Sequence, residues 1–164
     1  MINKINKLPK SEFVKVFANI FENAIWIAEK LYEQKPFDNF EELSLKILNI
    51  FETSTNEKKL KILRDHPDLA NKTKISSLTP DSLKEQTSAG LDQCTETEFN
   101  EFKKLNNSYK KFGFPFILAV KGKTKIEILN NFKKRISSDQ ETEFNEAVKQ
   151  VKQIAIFRLK ELNN

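Results

Sequence analysis

Residues 95–113 read TETEFNEFKKLNNSYKKFG. Thr95-x-x-Glu98 is a capping box, in which the threonine hydroxyl and the glutamate carboxylate each satisfy an orphan N–H of the first helical turn. Gly113 supplies the stop, because positive φ past a helix end costs glycine little. The stretch therefore predicts a helix over 99–112. Its basic residues, Lys103, Lys104, Lys110 and Lys111, are interrupted by apolar positions at helical spacing. They read as a solvated face rather than a nucleic-acid patch.

The same grammar extends in both directions. Leu8, Phe13, Phe17, Ile20, Phe21, Ala24, Ile25, Ala28 and Leu31 follow three/four spacing up to Pro36, as one helix or as two with a break near residues 19–23. Asp38-x-x-Glu41 is a second capping box, followed by Leu43, Ile47, Leu48 and Phe51. Ser54-x-x-Glu57 opens a helix through Leu60 and Leu63 that must end before Pro67. Thr79, with Pro80 at the first helical position, starts a short helix that Gly90 stops. Gly122 sits in a turn, Thr124-x-x-Glu127 opens residues 126–136, and Ser138-x-x-Glu141 opens a last helix to about Leu162. Strand alternation, internal repeats and linkers are missing from the pattern. The expectation is an all-α fold, a single compact domain over 1–164 with seven to nine helices.

Composition agrees. The 164 residues fit one domain. Three Gly and five Pro argue against collagen-like and turn-dense all-β architectures, and 14 Phe argue against disorder despite 31% charged residues. No apolar run approaches a membrane span. The N-terminal MINKINKLPKSEF lacks a secretory pattern, and the last residues form no peroxisomal tripeptide. Cys94 is the sole cysteine, which points to a reducing compartment. Cytoplasm is the expected location, with no membrane partner. Net charge is +5, carried by many lysines and only Arg64, Arg135 and Arg158. Arginine in a lysine-rich chain raises the question of planar, bidentate contacts.

A few residues carry chemical interest. His66 is the only histidine, which excludes metal sites built on two imidazoles; no metal is expected. It sits where a helix gives way to Pro67. It serves either the last helix carbonyls or acid–base chemistry near neutrality. Ser82, Glu85 and Gln86 fall at i, i+3 and i+4, on one face of a short helix. That face is either solvated or suited to amide or ureide edges. The last helix should bury Phe144, Val148, Val151, Ala155 and Leu162. Arg158 falls on that stripe, so its charge needs an internal carboxylate or a bound anion. Arg135 reads as a C-terminal cap, and Arg64 as exposed or paired with Asp65 or Asp68. From Phe112 to Val120, Pro115 forbids regular helix, leaving main-chain groups for core packing, for a ligand, or for both.

These segments, in this order, resemble the OHCU decarboxylase family, which acts on 2-oxo-4-hydroxy-4-carboxy-5-ureidoimidazoline (OHCU) in uric acid breakdown. The resemblance is carried by His66-Pro67-Asp68-Leu69-Ala70, Ser82-x-x-Glu85-Gln86-x-x-Ala89-Gly90-Leu91 and Tyr109-x-x-Phe112-Gly113-Phe114-Pro115-Phe116-Ile117. Ile154-Ala155-x-x-Arg158-Leu159 and an early Phe17…Phe21-Glu22…Trp26 also fit. It implies an all-helical carboxy-lyase that forms (S)-allantoin without a cofactor, commonly as a homodimer, with a small ureide as substrate and no nucleic acid. By the same resemblance His66 is the catalytic acid/base. Pro67, the stretch Ser82, Leu83, Lys84, Glu85, Gln86, and the backbone of Phe116, Ile117, Leu118, Ala119 and Val120 contact substrate. Arg158 partners its anionic group. The rival readings are a helical nucleic-acid-binding module, which would bind with steep salt dependence, and an interaction domain without catalysis.

Overall fold

Most helix starts follow the side chains that can cap them. A computed structural model describes residues 1–71 and 77–164 of the chain. Among the described residues there are nine α-helices and no strand: α1 (Ile2–Lys7), α2 (Lys10–Phe17), α3 (Ile25–Tyr32), α4 (Phe40–Glu52), α5 (Asn56–Asp65), α6 (Pro80–Ser88), α7 (Glu96–Tyr109), α8 (Lys125–Arg135) and α9 (Gln140–Asn163). The capping boxes of Thr95 with Glu98 and of Thr124 with Glu127 are formed as expected. Thr79 caps α6 and Pro80 opens it. Past the end of α6, Gly90 takes φ +76°. The Leu91 N–H reaches the Gln86 carbonyl while the Gly90 N–H reaches that of Thr87, a Schellman closure.

Three caps are displaced by one residue. Asn39, not Asp38, caps α4; it accepts the Glu42 N–H, and the Glu42 carboxylate takes the Asp38 N–H instead. Thr55 rather than Ser54 accepts from the first turn of α5. The Ser54 hydroxyl is already committed to the Phe51 carbonyl behind it. Asp139 rather than Ser138 caps α9 through the Thr142 N–H. In all three pairs the capping residue nearer the helix makes the cap.

The chain divides into two compact units, Met1–Asp65 with Lys152–Asn164, and His66–Val151. In the first, the apolar run toward Pro36 is broken by residues 18–24 into α2 and α3, and Pro9 separates the additional α1. Ile27 rather than Ile25 is buried there, Ile25 remaining 53% exposed. The core includes stacked Phe21 and Phe51, and Phe13 against Phe17. In the second unit, Tyr109, Phe112, Phe114, Phe116 and Phe132 form one aromatic cluster. Helix α9 contributes residues to both units. Its buried stripe runs through Glu143, Ala147, Val151, Ile154, Ala155, Arg158 and Leu159. Phe144 and Val148, one position off that stripe, are only half-buried, as is Leu162 in its last turn. Lys103, Lys104, Lys110 and Lys111 are exposed, as a solvated face requires.

Candidate active site

His66 is the first residue after α5, and it is half-buried, as is Pro67. The following Leu69 and Ala70 are buried. Ala70 has φ +51°, a conformation that L-residues adopt only under constraint. The constraint comes from side chains. The Gln86 carboxamide accepts the Ala70 N–H at 3.0 Å and donates to the Asp68 carbonyl at 3.1 Å. Asn106 of α7 donates to the intervening Leu69 carbonyl at 3.0 Å. Two amide side chains thus hold three consecutive residues of the segment that His66 begins.

That arrangement excludes the solvated reading for Ser82 and Gln86 of α6. Ser82 and Gln86 are each 3% exposed, so their shared face is turned inward. Glu85 is half-buried, whereas Leu83 and Lys84 are exposed. The stretch 82–86 therefore splits between two faces, as helical spacing demands.

The second irregular strip is 116–120. Gly113 takes φ +80° at the end of a 3-10 turn, Lys110–Phe112, and Pro115 keeps the chain out of helix. All five residues of 116–120 are buried. The Ile117 carbonyl accepts from Arg135 Nη1 at 2.5 Å, and the Ala119 N–H donates to Gln150 Oε1 at 3.0 Å. Between them, the Leu118 N–H and C=O have no partner among the described residues. Buried main-chain groups are nearly always paired, so a strip that leaves several of them open, the Leu118 N–H and C=O among them, suits a ligand with donor and acceptor groups.

Arg135 is not the C-terminal cap that its place in α8 suggested. Its Nε donates to Glu143 Oε1 at 2.7 Å, Nη2 lies 2.5 Å from the same oxygen, and its guanidinium carbon sits 4.4 Å from the Phe116 ring centre. Glu143 is fully buried and also accepts the Tyr109 hydroxyl. Burial, reinforced by Glu143, pushes the Tyr109 phenol well above its ordinary value, so it remains a donor. Sequence reasoning missed this set, yet the signal existed. Arg135 lies three after buried Phe132, and Glu143 lies four before buried Ala147. The stripe test that singled out Arg158 applies equally to both. Asn106, four after buried Phe102, was missed in the same way.

Arg158 belongs to the other unit, and there it is 5% exposed. Of the alternatives for its charge, an internal carboxylate is present: Nη2 donates to Glu22 Oε2 at 2.9 Å, and Nη1 to the Asn19 carbonyl at 2.7 Å. Both contacts lie in the break between α2 and α3, where Asn23 takes φ +55°. Arg64 is exposed.

Among the described residues, no cluster of three or more His, Cys, Asp or Glu is arranged to hold a metal ion. Nor is any helix of those residues long and apolar enough to cross a membrane. The class is thus an all-helical protein with two non-helical strips of main chain, one partly and one fully buried, gripped by polar side chains.

The OHCU decarboxylase family model matches residues 6–160, and the chain belongs to that family. A uric acid degradation bifunctional protein of Bacillus sp. (strain TB-90) is 39% identical over 98% of this chain, which spans 32% of that relative. The chain therefore covers about a third of the bifunctional protein. The 2-oxo-4-hydroxy-4-carboxy-5-ureidoimidazoline decarboxylase of Halalkalicoccus jeotgali is 35% identical, with 98% of this chain and 90% of the relative covered. A crystal structure of (S)-allantoin synthase superposes with a TM-score of 0.77 at 28% identity, covering 99% of this chain and 54% of that one.

Proposed function

We propose that this chain is a carboxy-lyase that decarboxylates OHCU to (S)-allantoin in uric acid breakdown, without a cofactor. The observation that carries the reading is the non-helical segment opened by the only histidine, held residue by residue by Gln86 and Asn106. Scaffolding of that kind is what a positioned acid–base group needs.

Loss of CO₂ leaves an electron pair on the ring carbon, and the adjacent unsaturated C–N group of the substrate can receive it. The protein's task is then to hold the carboxylate, to spread the developing charge over hydrogen-bond donors, and to deliver a proton to one face. His66 manages the proton. Glu85 and Ser82 bind the ring and ureido edges, with Pro67 beside them. Gln86 serves the same recognition, and its two bonds to residues 68 and 70 keep its amide in one orientation. Leu83 and Lys84 complete the stretch in the family pattern. Main-chain groups of 116–120 supply further contacts. Arg158 partners the anionic group, with Glu22 fixing the plane of its guanidinium.

The test is to supply freshly generated OHCU and to follow the optical activity of the allantoin against the spontaneous, racemic background. Replacing His66 by Asn should lower turnover by about two orders of magnitude or more. Near-normal turnover of that variant would remove His66 from the mechanism. Homodimer formation and a cytoplasmic location complete the reading. Sedimentation as a monomer at micromolar concentration would overturn the first, and fractionation of cells the second.

A further inference from the structure

We propose that Arg135 and Gln150 are positioning residues that aim the Leu118 N–H and C=O at the substrate as a donor–acceptor pair; this rests on the substrate role of 116–120 proposed above. The argument starts from peptide planarity. The Ile117 C=O and the Leu118 N–H belong to one trans peptide plane and point in opposite directions. Arg135 Nη1 holds the Ile117 carbonyl, so it also sets where the Leu118 N–H points. The Leu118 C=O and the Ala119 N–H share the next plane. Gln150 Oε1 holds that N–H, so it sets where the Leu118 C=O points. The Leu118 N–H and C=O are thus the free ends of two planes whose other ends are gripped by side chains, whereas the open groups of the planes on either side have no such grip.

Each grip is itself braced. The Gln150 Nε2 donates to Glu146 at 2.8 Å, one turn back on α9. Arg135 is fixed by Glu143, which Tyr109 secures in turn. Phe116, the residue before the gripped carbonyl, stacks on Phe132 at 3.9 Å and 11° while the guanidinium lies over the same ring. A lysine at 135 would keep the charge but could not serve Ile117 and Glu143 with one rigid fork. The ligand chemistry is that of a cyclic or open ureide, whose adjacent N–H and C=O groups match one donor and one acceptor from a single residue.

The experiment measures amide hydrogen exchange residue by residue, together with kcat/KM on OHCU, for the wild type, Arg135→Lys and Gln150→Leu. The expected result is faster exchange confined to residues 117–120, with α7 and α8 unchanged, and kcat/KM lower by roughly 10- to 100-fold, the scale of a small misplacement. Exchange and kcat/KM both within twofold of wild type would overturn the proposal, and so would a loss of protection spread evenly over the unit. Altered local exchange beside a wild type that leaves OHCU untouched would support the grip on the strip and overturn the activity reading. If Arg135→Lys does not fold, Gln150→Leu, at a half-buried position, tests the same peptide from its other side.

Discussion

Arg135 and Arg158 are built alike and placed differently. Each lies on the buried stripe of its helix, each binds a main-chain carbonyl through Nη1, and each meets one buried glutamate. Arg158 takes the Asn19 carbonyl, in the break between two helices, and its glutamate is 136 residues away. Arg135 takes the Ile117 carbonyl inside a candidate substrate strip, and its glutamate is eight residues away and shared with Tyr109. The comparison teaches that a buried arginine here is a tool for fixing irregular backbone. An ion pair alone would serve stability no better than apolar side chains of similar volume.

The comparison can be broken most forcefully by removing a carboxylate. Glu143→Ala strands Arg135 and frees Tyr109, and should cost about 3–5 kcal/mol. In a chain of this size that lowers Tm by on the order of 10 °C. Glu22→Ala removes the carboxylate that Arg158 meets and is the matching variant for the other arginine. A loss below about 1 kcal/mol in calorimetry for Glu143→Ala would show that Arg135 does not depend on this carboxylate.

Next in size is the clamp on the segment after His66. Gln86→Leu leaves an N–H and a C=O without their partner, at about 1–3 kcal/mol for the pair of groups. Denaturant midpoints should fall while m stays constant; an unchanged midpoint would mean the segment is held by something other than this amide.

Arg158→Lys sharpens the functional half of the comparison. If Arg158 binds the substrate's anion, loss of the fork should lower kcat/KM roughly tenfold, the equivalent of one charge-assisted hydrogen bond. An unchanged kcat/KM reduces Arg158 to the partner of Glu22. The contrast with Arg135→Lys is in amide exchange, where only the latter should disturb residues 117–120.

The smallest effect is expected at Tyr109→Phe, about 1 kcal/mol at neutral pH for one buried hydrogen bond. Its pH dependence is the sharper readout. The folded phenol keeps its proton above the ordinary value of 10.0. The folded state therefore binds more protons than the unfolded state at high pH, and the stabilisation fades as pH rises past about 10. Wild type should lose stability there faster than Tyr109→Phe. Parallel alkaline limbs in the two proteins would contradict the buried donor role.

The helical class was legible because helix starts and stops are local. Thr95 with Glu98, Thr124 with Glu127, Pro80 and Gly90 act within a turn of themselves, and the structure uses all of them. The displaced caps at Asn39, Thr55 and Asp139 show the grain of that information: chemistry picks the neighbourhood, and competition between adjacent side chains picks the residue. Arg158 was legible as a buried cation by the same periodicity, and the inward face of α6 could be read as a face but not as buried or solvated.

What the residues determined by themselves is therefore what short-range hydrogen bonding and periodicity can fix: an all-helical chain of seven to nine segments, the neighbourhoods of most helix ends, and the place of Arg158 on an apolar stripe. Tertiary structure alone decided which partner each buried charge takes and which loop carbonyl each amide grips. Those partners lie between eight and 139 residues apart. No rule of local spacing selects among the many carboxylates and carbonyls available at such separations; only the packed chain, which must pair every polar group it takes out of water, makes the choice.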